Sequence, residues 1–512
     1  MRGQAPINSS WRRSRKLLAI IGHQSSGYHG LSDILDQELR ERILAEITPT
    51  EDELTKQRRI IESLTTALEE RAETLDVEYS FIEPHGSTGR KQTQLRGAAD
   101  IDLFVALKPQ CFHSVLELPP EKRDRRLSAE LERFVDDWFR PAAESTGAEN
   151  IKKTYSQHPY LSLMMEGLEA DIVTCFDLPA DYLQAKGPIT AVDRTIHHTR
   201  CVSKRLDDRL RADVRLLKSF IRAGHAYGDR CAVGRMGLTG YCLELMVIWG
   251  EGLDGAVRAM QCLRENPLDP RDRTLAQLKN TPEFRNDYVF VIDPVDTDRN
   301  VASSFSRRSV DWTISRVHEL LDAAHSKDSD AVFGLFIEEP ISTAPLPPEL
   351  QEHFVGIEFE SVGSEHYTIL RDKLYSQANR ISERISRERT GEKRFGDCIF
   401  ELYFETPRYA LGFLLERPSV KKEYPRRGPP LRMKNAAEQF KAQHPNAYER
   451  DGYLWITETR AWTSARKMVK DLITKERLEN LEILQETGEL TRKVANILRE
   501  AVLRVEEIQL TG

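Results

Sequence analysis

Apolar and polar positions follow two rhythms along this chain. Over 34–75 the apolar residues recur at helical spacing, with one break at Thr48-Pro49-Thr50. Thr50 with Glu53 three residues on has the form of a capping box and predicts the start of a second helix. Period-two alternation follows. It predicts strands over 78–82 and 100–107, separated by a Pro84-His85-Gly86-Ser87 turn, and a hairpin over 161–175 bent at Gly167. Helical spacing dominates 200–322, and the polar stretch 326–330 reads as a domain boundary. Strand patterns return over 331–337, 355–362, 399–405 and 409–415, with a polar helix over 370–389. After the connector Arg426-Arg427-Gly428-Pro429-Pro430 come a helix, two short strands around Trp455 and a packing helix through Leu490, Val494 and Leu498. Residues 1–33 lack periodicity and read as a poorly ordered leader.

Length and composition set outer limits. A chain of 512 residues is too long for one core, and roughly 150 residues per domain predicts three to four domains. With 40% hydrophobic and 30% charged residues, it is neither collagen-like nor disordered throughout. No apolar run approaches the ~20 residues of a membrane-spanning helix. The basic start 11–16 followed by 17–21 imitates a signal peptide, but its apolar part falls short of the roughly 7–15 residues required. The seven cysteines are scattered with no C-x-x-C pair. A disulfide framework is therefore not expected, and a reducing compartment, the cytoplasm, is. A net charge of -7 means that any nucleic-acid surface must be local.

The chemistry concentrates at Asp100-Ile101-Asp102. On a strand, residues two apart share a face, so both carboxylates point the same way. Like charges that close call for a cation between them, and Mg²⁺ suits one or two carboxylates plus waters and phosphates. Gly86-Ser87, ahead of the acids, offers amide N–H groups and a hydroxyl to a phosphate, with Arg90 adding a cation. Asp171 supplies a third acid on a strand of similar character, and Glu169 shares its face as the fallback. Alone, a D-x-D strand is most often a solvated strand end. Three acids beside a Gly-Ser turn are what two-metal phosphoryl transfer needs.

Gly86-Ser87 with Asp100-x-Asp102 and the distal Asp171 resembles the nucleotidyltransferase superfamily. Further strings resemble one branch, the archaeal-type (class I) CCA-adding enzymes. They are Ala191-Val192-Asp193-Arg194-Thr195 with His198-Thr199, Val214-Arg215-Leu216-Leu217-Lys218, Tyr227-Gly228, Gly237-Leu238-Thr239-Gly240-Tyr241 with Glu244-Leu245, Ile292-Asp293-Pro294-Val295-Asp296 with Arg299-Asn300, and Arg427-Gly428-Pro429-Pro430. They run in order from about residue 35 to 462. The resemblance implies an α+β chain: a nucleotidyltransferase (polymerase beta-like) head, a helical neck, a ferredoxin-like body and a small α/β tail. Set on the breaks above, these are a leader 1–33, a catalytic head 34–190, a neck 191–325, a body 326–420 and a tRNA-binding tail 421–512.

It also implies template-independent addition of C-C-A to tRNA 3′ ends from CTP and ATP, releasing pyrophosphate. Asp100, Asp102 and Asp171 would be catalytic and hold Mg²⁺, and Ser87 and Arg90 would meet the triphosphate. His198, or its neighbour His197, would contact the nucleotide with Lys218 and Tyr227. Arg299 matches the family arginine that helps select the base. No membrane partner is expected, and a homodimer stays open. The rival expectations are a poly(A) polymerase or oligoadenylate synthase-like transferase, and a catalytically silent RNA-binding protein.

Two basic features stand beside this. Arg211, Arg215, Lys218 and Arg222 flank the apolar stripe Leu206, Leu210, Val214, Leu217 and Ile221. They fit a triphosphate or RNA backbone about as well as a solvated face paired to nearby acids. Arg299 is expected in the first turn of a helix. In the tail, Arg426 and Arg427 lie in the most basic patch of the second half, a fair candidate for RNA phosphates.

Overall fold

The computed structural model describes residues 34–155, 158–190, 192–363 and 365–502. The expected leader, 1–33, lies outside them. The described residues divide into two compact units, one of 34–228 with 236–339 and one of 229–235 with 340–502. No helix among the described residues is long and apolar enough to cross a membrane.

The first unit opens with helices α1 (Gln37–Ile47) and α2 (Glu51–Leu75). The Thr50 side chain accepts from Glu53 N while the Glu53 carboxylate accepts from Thr50 N, so the expected capping box forms. A five-stranded sheet follows: β1 (Tyr79–Pro84), β2 (Asp100–Leu107), β3 (Glu149–Tyr155), β4 (Pro159–Met165) and β5 (Leu168–Phe176). Their order is β1-β2-β5-β4-β3, with β2 and β5 parallel and the other pairs antiparallel. Alternation gives the sheet two faces. Ile101, Leu103 and Val105 of β2 join a core with Ile60, Leu64 and Leu68 of α2, and with helix α3 (Pro120–Phe134) and Trp138. The opposite face carries Asp100 and Asp102, then Phe104 and Ala106, which pack on Ile196 of α4 (Asp193–Ser203).

The remainder of this unit is mainly helical. Val214, Leu217 and Ile221 of α5 (Asp208–Ala223) are buried as their spacing predicts. Helix α6 (Gly240–Trp249) is buried on nearly every side, and α7 is Arg307–His325. The strand expected over 331–337 is instead helix α8 (Ser329–Phe336). A short apolar run cannot by itself distinguish a buried strand from a buried helix. Here Asp328 caps the helix by accepting from Ala331 N, and Phe336 packs on Phe220 with ring centroids 5.6 Å apart.

The second unit is built on β6 (Phe354–Ser361), helix α9 (Tyr367–Ser386), β7 (Cys398–Glu405), β8 (Arg408–Leu415), helix α11 (Ala465–Lys475) and β12 (Leu481–Gln485). The strand order β12-β6-β8-β7, all antiparallel, is the ferredoxin-like βαββαβ arrangement. Helices α9 and α11 fill one face with Leu374, Ile381, Val469 and Leu472. Helix α12 (Glu489–Ile497) covers the other with Leu490 and Val494. It lies so close that a Cβ at Gly412 would stand 2.5 Å from Val494 Cγ1, which is why a glycine sits mid-strand there.

A three-stranded sheet, β10 (Tyr448–Arg450), β11 (Tyr453–Thr459) and β9 (Glu423–Pro430), enters between β8 and α11 with helix α10 (Lys434–Gln443). The expected connector Arg426–Pro430 is thus part of a strand. It is an edge strand, where prolines are tolerated because no ladder donor is needed on the outer side. Within the stretch expected to be tail, α11 and β12 complete the ferredoxin-like sheet.

Candidate active site

Parallel pairing of β2 with β5 sets Asp102 directly beside Asp171 and Asp100 beside Glu169. Neighbouring strands lie about 4.8 Å apart, so the acids form a compact anionic face. The Gly86 turn closes over it. His85 N donates to Asp102 O at 2.8 Å, and the Thr88 hydroxyl donates to Asp100 O at 2.8 Å. Gly86 has φ +63°, and a Cβ there would fall 2.2 Å from Asp102 Oδ2. The motif requires this glycine both for its left-handed backbone and for the approach of the carboxylate.

The carboxylates hold protons unusually well. Burial pushes Asp102 up to about 6, and Asp100 adds to the rise while Lys91 opposes it. Burial likewise pushes Asp171 up to about 7, against a hydrogen bond from Ser162, and Asp102 and Glu169 reinforce the rise. Asp171 Oδ1 is buried with no hydrogen-bond partner. Crowded oxygens short of positive charge, one of them orphaned, fit a hard divalent cation. Among the described residues no three His, Cys, Asp or Glu side chains are placed to hold a metal ion by themselves. An open set of acids suits an ion that keeps waters and takes substrate phosphates as ligands.

Ser87 is half-buried in the turn, and Arg90 is exposed, donating to Glu83 at 2.7 Å. Beyond it the loop is gripped by α5. Arg211 Nε donates to Lys91 O at 3.1 Å; Arg215 donates to Gln92 O at 2.7 Å and Gln94 O at 3.2 Å. Lys218 Nζ donates to Thr93 O at 3.2 Å, Thr93 Oγ1 at 2.8 Å and Glu244 Oε1 at 3.0 Å. Three members of the basic stripe therefore hold this loop, an outcome that periodicity alone does not reveal. Tyr227 stands near Lys218 across Gly240, where a Cβ would meet Tyr227 Oη at 2.8 Å and Lys218 Cε at 3.3 Å. Burial raises its phenol well above the usual tyrosine range.

The two histidines part ways. His197 bonds through Nε2 to Leu178 O at 2.8 Å. His198 bonds through Nε2 to Asp293 Oδ2 at 2.7 Å and stacks on Tyr241, centroids 4.2 Å apart. Asp293, wholly buried, also accepts from Tyr241 Oη at 2.9 Å, Arg299 Nη1 at 2.9 Å and Val295 N at 2.9 Å. These donors hold its carboxyl well below the usual range even though burial opposes them. Asp293 thus joins His198 to Arg299. Arg299 sits in a turn, not in the first turn of a helix as expected, since α7 begins at Arg307. With Arg194, Phe284, Asp296 and Asn300 it lines a cavity of about 490 Å³. Lys91 links this group to the acids: its Nζ lies 5.2 Å from the Tyr241 ring centroid, and its charge acts on Asp102.

In the second unit, Arg426 and Arg427 face opposite sides of β9. Arg426 is paired with Glu458 and lies over Phe440. Arg427 lies over the Tyr453 ring at 4.9 Å, opposite Trp455, whose ring carries Arg450 at 5.5 Å.

A mixed sheet with neighbouring aspartates on a parallel strand pair, facing a Gly-Ser turn, defines a nucleotidyltransferase, an enzyme class that uses a divalent metal. The family described as "tRNA nucleotidyltransferase, second domain" matches residues 212–328. The CCA-adding enzyme of Methanosarcina mazei is 25% identical over 451 residues, 85% of this chain and 89% of that protein. That of Archaeoglobus fulgidus is 30% identical over 353 residues, 68% of this chain and 69% of that protein. That of Pyrococcus abyssi is 34% identical over 284 residues, 53% of this chain and 56% of that protein. The chain belongs to the family of CCA-adding enzymes.

Proposed function

We propose that this enzyme builds the C-C-A end of tRNA from CTP and ATP, without a nucleic-acid template, in the cytoplasm. The observation that carries the reading is Asp102 beside Asp171 on parallel strands under the Gly86-Ser87 turn. Ser87 and the amides of its turn bind the triphosphate, and Arg90 adds charge to it. Mg²⁺, held by Asp100, Asp102 and Asp171, would acidify the RNA 3′ hydroxyl and offset charge on the departing pyrophosphate. Asp171 takes the proton as the 3′ oxygen attacks the α-phosphorus and the bond to pyrophosphate breaks. His198 and Tyr227 border the nucleotide, and Arg299, steadied by Asp293, reads the base edge. Residues 34–190 serve as the catalytic head, 191–325 as neck and 326–420, completed by α11 and β12, as body, while the inserted three-stranded sheet within 421–512 holds tRNA.

The direct test supplies purified enzyme with Mg²⁺, tRNA lacking its last three nucleotides, and labelled CTP and ATP. Products are expected to stop after C, C and A. Unlimited growth from ATP alone would favour a poly(A) polymerase, and RNA binding without transfer a silent binder. For the tail, Arg427→Ala is expected to lower the salt slope of tRNA binding by about 1. Arg426→Ala changes it less, because Glu458 already meets that charge. Equal slopes for both variants would remove Arg427 from the RNA surface.

A further inference from the structure

The side chain of His85 has no part in the chemistry above, although it stands in the turn that leads to Ser87. It is 1% exposed. Its ring meets Phe104 of β2 edge-on, with centroids 4.8 Å apart, and bonds through Nδ1 to Thr199 Oγ1 at 3.0 Å. Thr199, wholly buried on α4, is the neighbour of His198. The His85 main chain is also engaged: its N–H donates to Asp102 O at 2.8 Å, and its carbonyl accepts from Gly89 N at 3.0 Å. One residue therefore fastens the turn to the acid-bearing strand through its backbone and to α4 through its side chain.

The other ring nitrogen, Nε2, is buried with no hydrogen-bond partner. A buried polar atom left unpaired is destabilising. A phenylalanine ring would fill the same place against Phe104 without that cost, so packing alone does not account for an imidazole here. What the imidazole adds is the bond to Thr199. Burial, with the charges of Lys91, Arg200 and Arg90, pushes the ring down to about 4, so it is neutral near pH 7 and brings no charge to a phosphate.

We propose that the His85–Thr199 hydrogen bond is a latch that joins the Gly86-Ser87 turn to α4, so that Ser87 and His198 meet a nucleotide as one prearranged surface. His85 and Thr199 are then positioning residues. Without the latch the turn has more freedom before binding, and part of the binding free energy goes to ordering it. Its loss shows chiefly in nucleotide affinity. The proposal rests on the reading that this turn and His198 bind the nucleotide.

Paired substitutions separate stability from affinity. Thr199→Val leaves both ring nitrogens of His85 buried without a partner and should lower the thermal unfolding temperature. Adding His85→Phe removes those nitrogens, and the double variant should unfold close to the wild-type temperature. If the two residues served the core alone, CTP binding would recover along with stability. The latch predicts otherwise. In His85→Phe, in Thr199→Val and in the double variant alike, CTP binding with Mg²⁺ but without tRNA weakens about tenfold, the worth of one hydrogen bond between buried groups. The KM for CTP and for ATP rises in step, while kcat stays within about threefold. Thr199→Ser, which keeps the hydroxyl, should bind CTP as the wild type does. Should the histidine variants fail to fold, Thr199→Val against Thr199→Ser decides alone. Wild-type CTP affinity in folded Thr199→Val, or in the double variant, overturns the latch. Wild-type enzyme that neither binds CTP nor extends tRNA overturns the functional reading and the latch with it, so the two failures are distinct.

Discussion

Asp102→Asn and Asp171→Asn are expected to destroy transfer while making the metal-free protein more stable. On the catalytic side, under the proposed function each carboxylate would help to hold the ion and so contribute several kcal/mol of transition-state stabilisation. Loss of CMP incorporation by roughly 10³-fold should follow. On the stability side, the protonation values of about 6 and about 7 lie above the ordinary 3.8. The folded state therefore binds more protons than the unfolded state between about pH 4 and 7. The stability of the wild-type protein falls as pH rises through that window and stays low above it. An amide removes the penalty. In chelator at pH 8, each variant should gain about 1–3 kcal/mol in urea unfolding. At pH 4 the gain should vanish, because the wild-type carboxyls are then protonated. Variants less stable than wild type at pH 8 would mean that the acids do not strain one another.

Asp293→Ala is expected to be the most damaging single change to stability in the first unit. It strands Tyr241, His198, the Val295 amide and one bond of Arg299 around a buried void. Removing one partner from a buried charged network costs about 3–5 kcal/mol. Asp293→Asn, which keeps an acceptor, should lose less. Because its donors hold the Asp293 carboxyl well below the usual range, its contribution is fully present above about pH 4 and is lost only in stronger acid. The loss in Asp293→Ala should thus be the same at pH 6 and pH 8. Urea unfolding at the two values checks this, and a difference below about 1 kcal/mol from wild type would deny Asp293 its central place.

The legibility of the sequence varied with the kind of order involved. The acids were readable because strand alternation fixes which side chains share a face, and Gly86-Ser87 because a glycine turn announces itself. The parallel pairing that sets Asp102 against Asp171 was not, since register between strands 69 residues apart leaves no local trace. Helix α8 was misread because its eight residues fit either a strand or a buried helix. Strand β12 escaped because only Leu481 of its five residues is buried. Glu244 and Asp293 were within reach as members of short strings, but nothing in their spacing tells a buried hub from a surface acid. Lys218 was legible only by its family position; its hydrogen bonds to Thr93 and Glu244 are long-range and left no trace in spacing.

The helix α12 laid across the second face of the ferredoxin-like sheet restricts how this unit can meet RNA. Many small proteins with that strand order read single strands by stacking bases on aromatic rings of an open sheet. Here Leu490 and Val494 occupy that platform, with Gly412 permitting their close seat. Base stacking on the four-stranded sheet is foreclosed. Under the proposed function, contact with a folded RNA would fall to strand edges, loops and the inserted three-stranded sheet, surfaces suited to gripping a shape rather than spelling out a sequence.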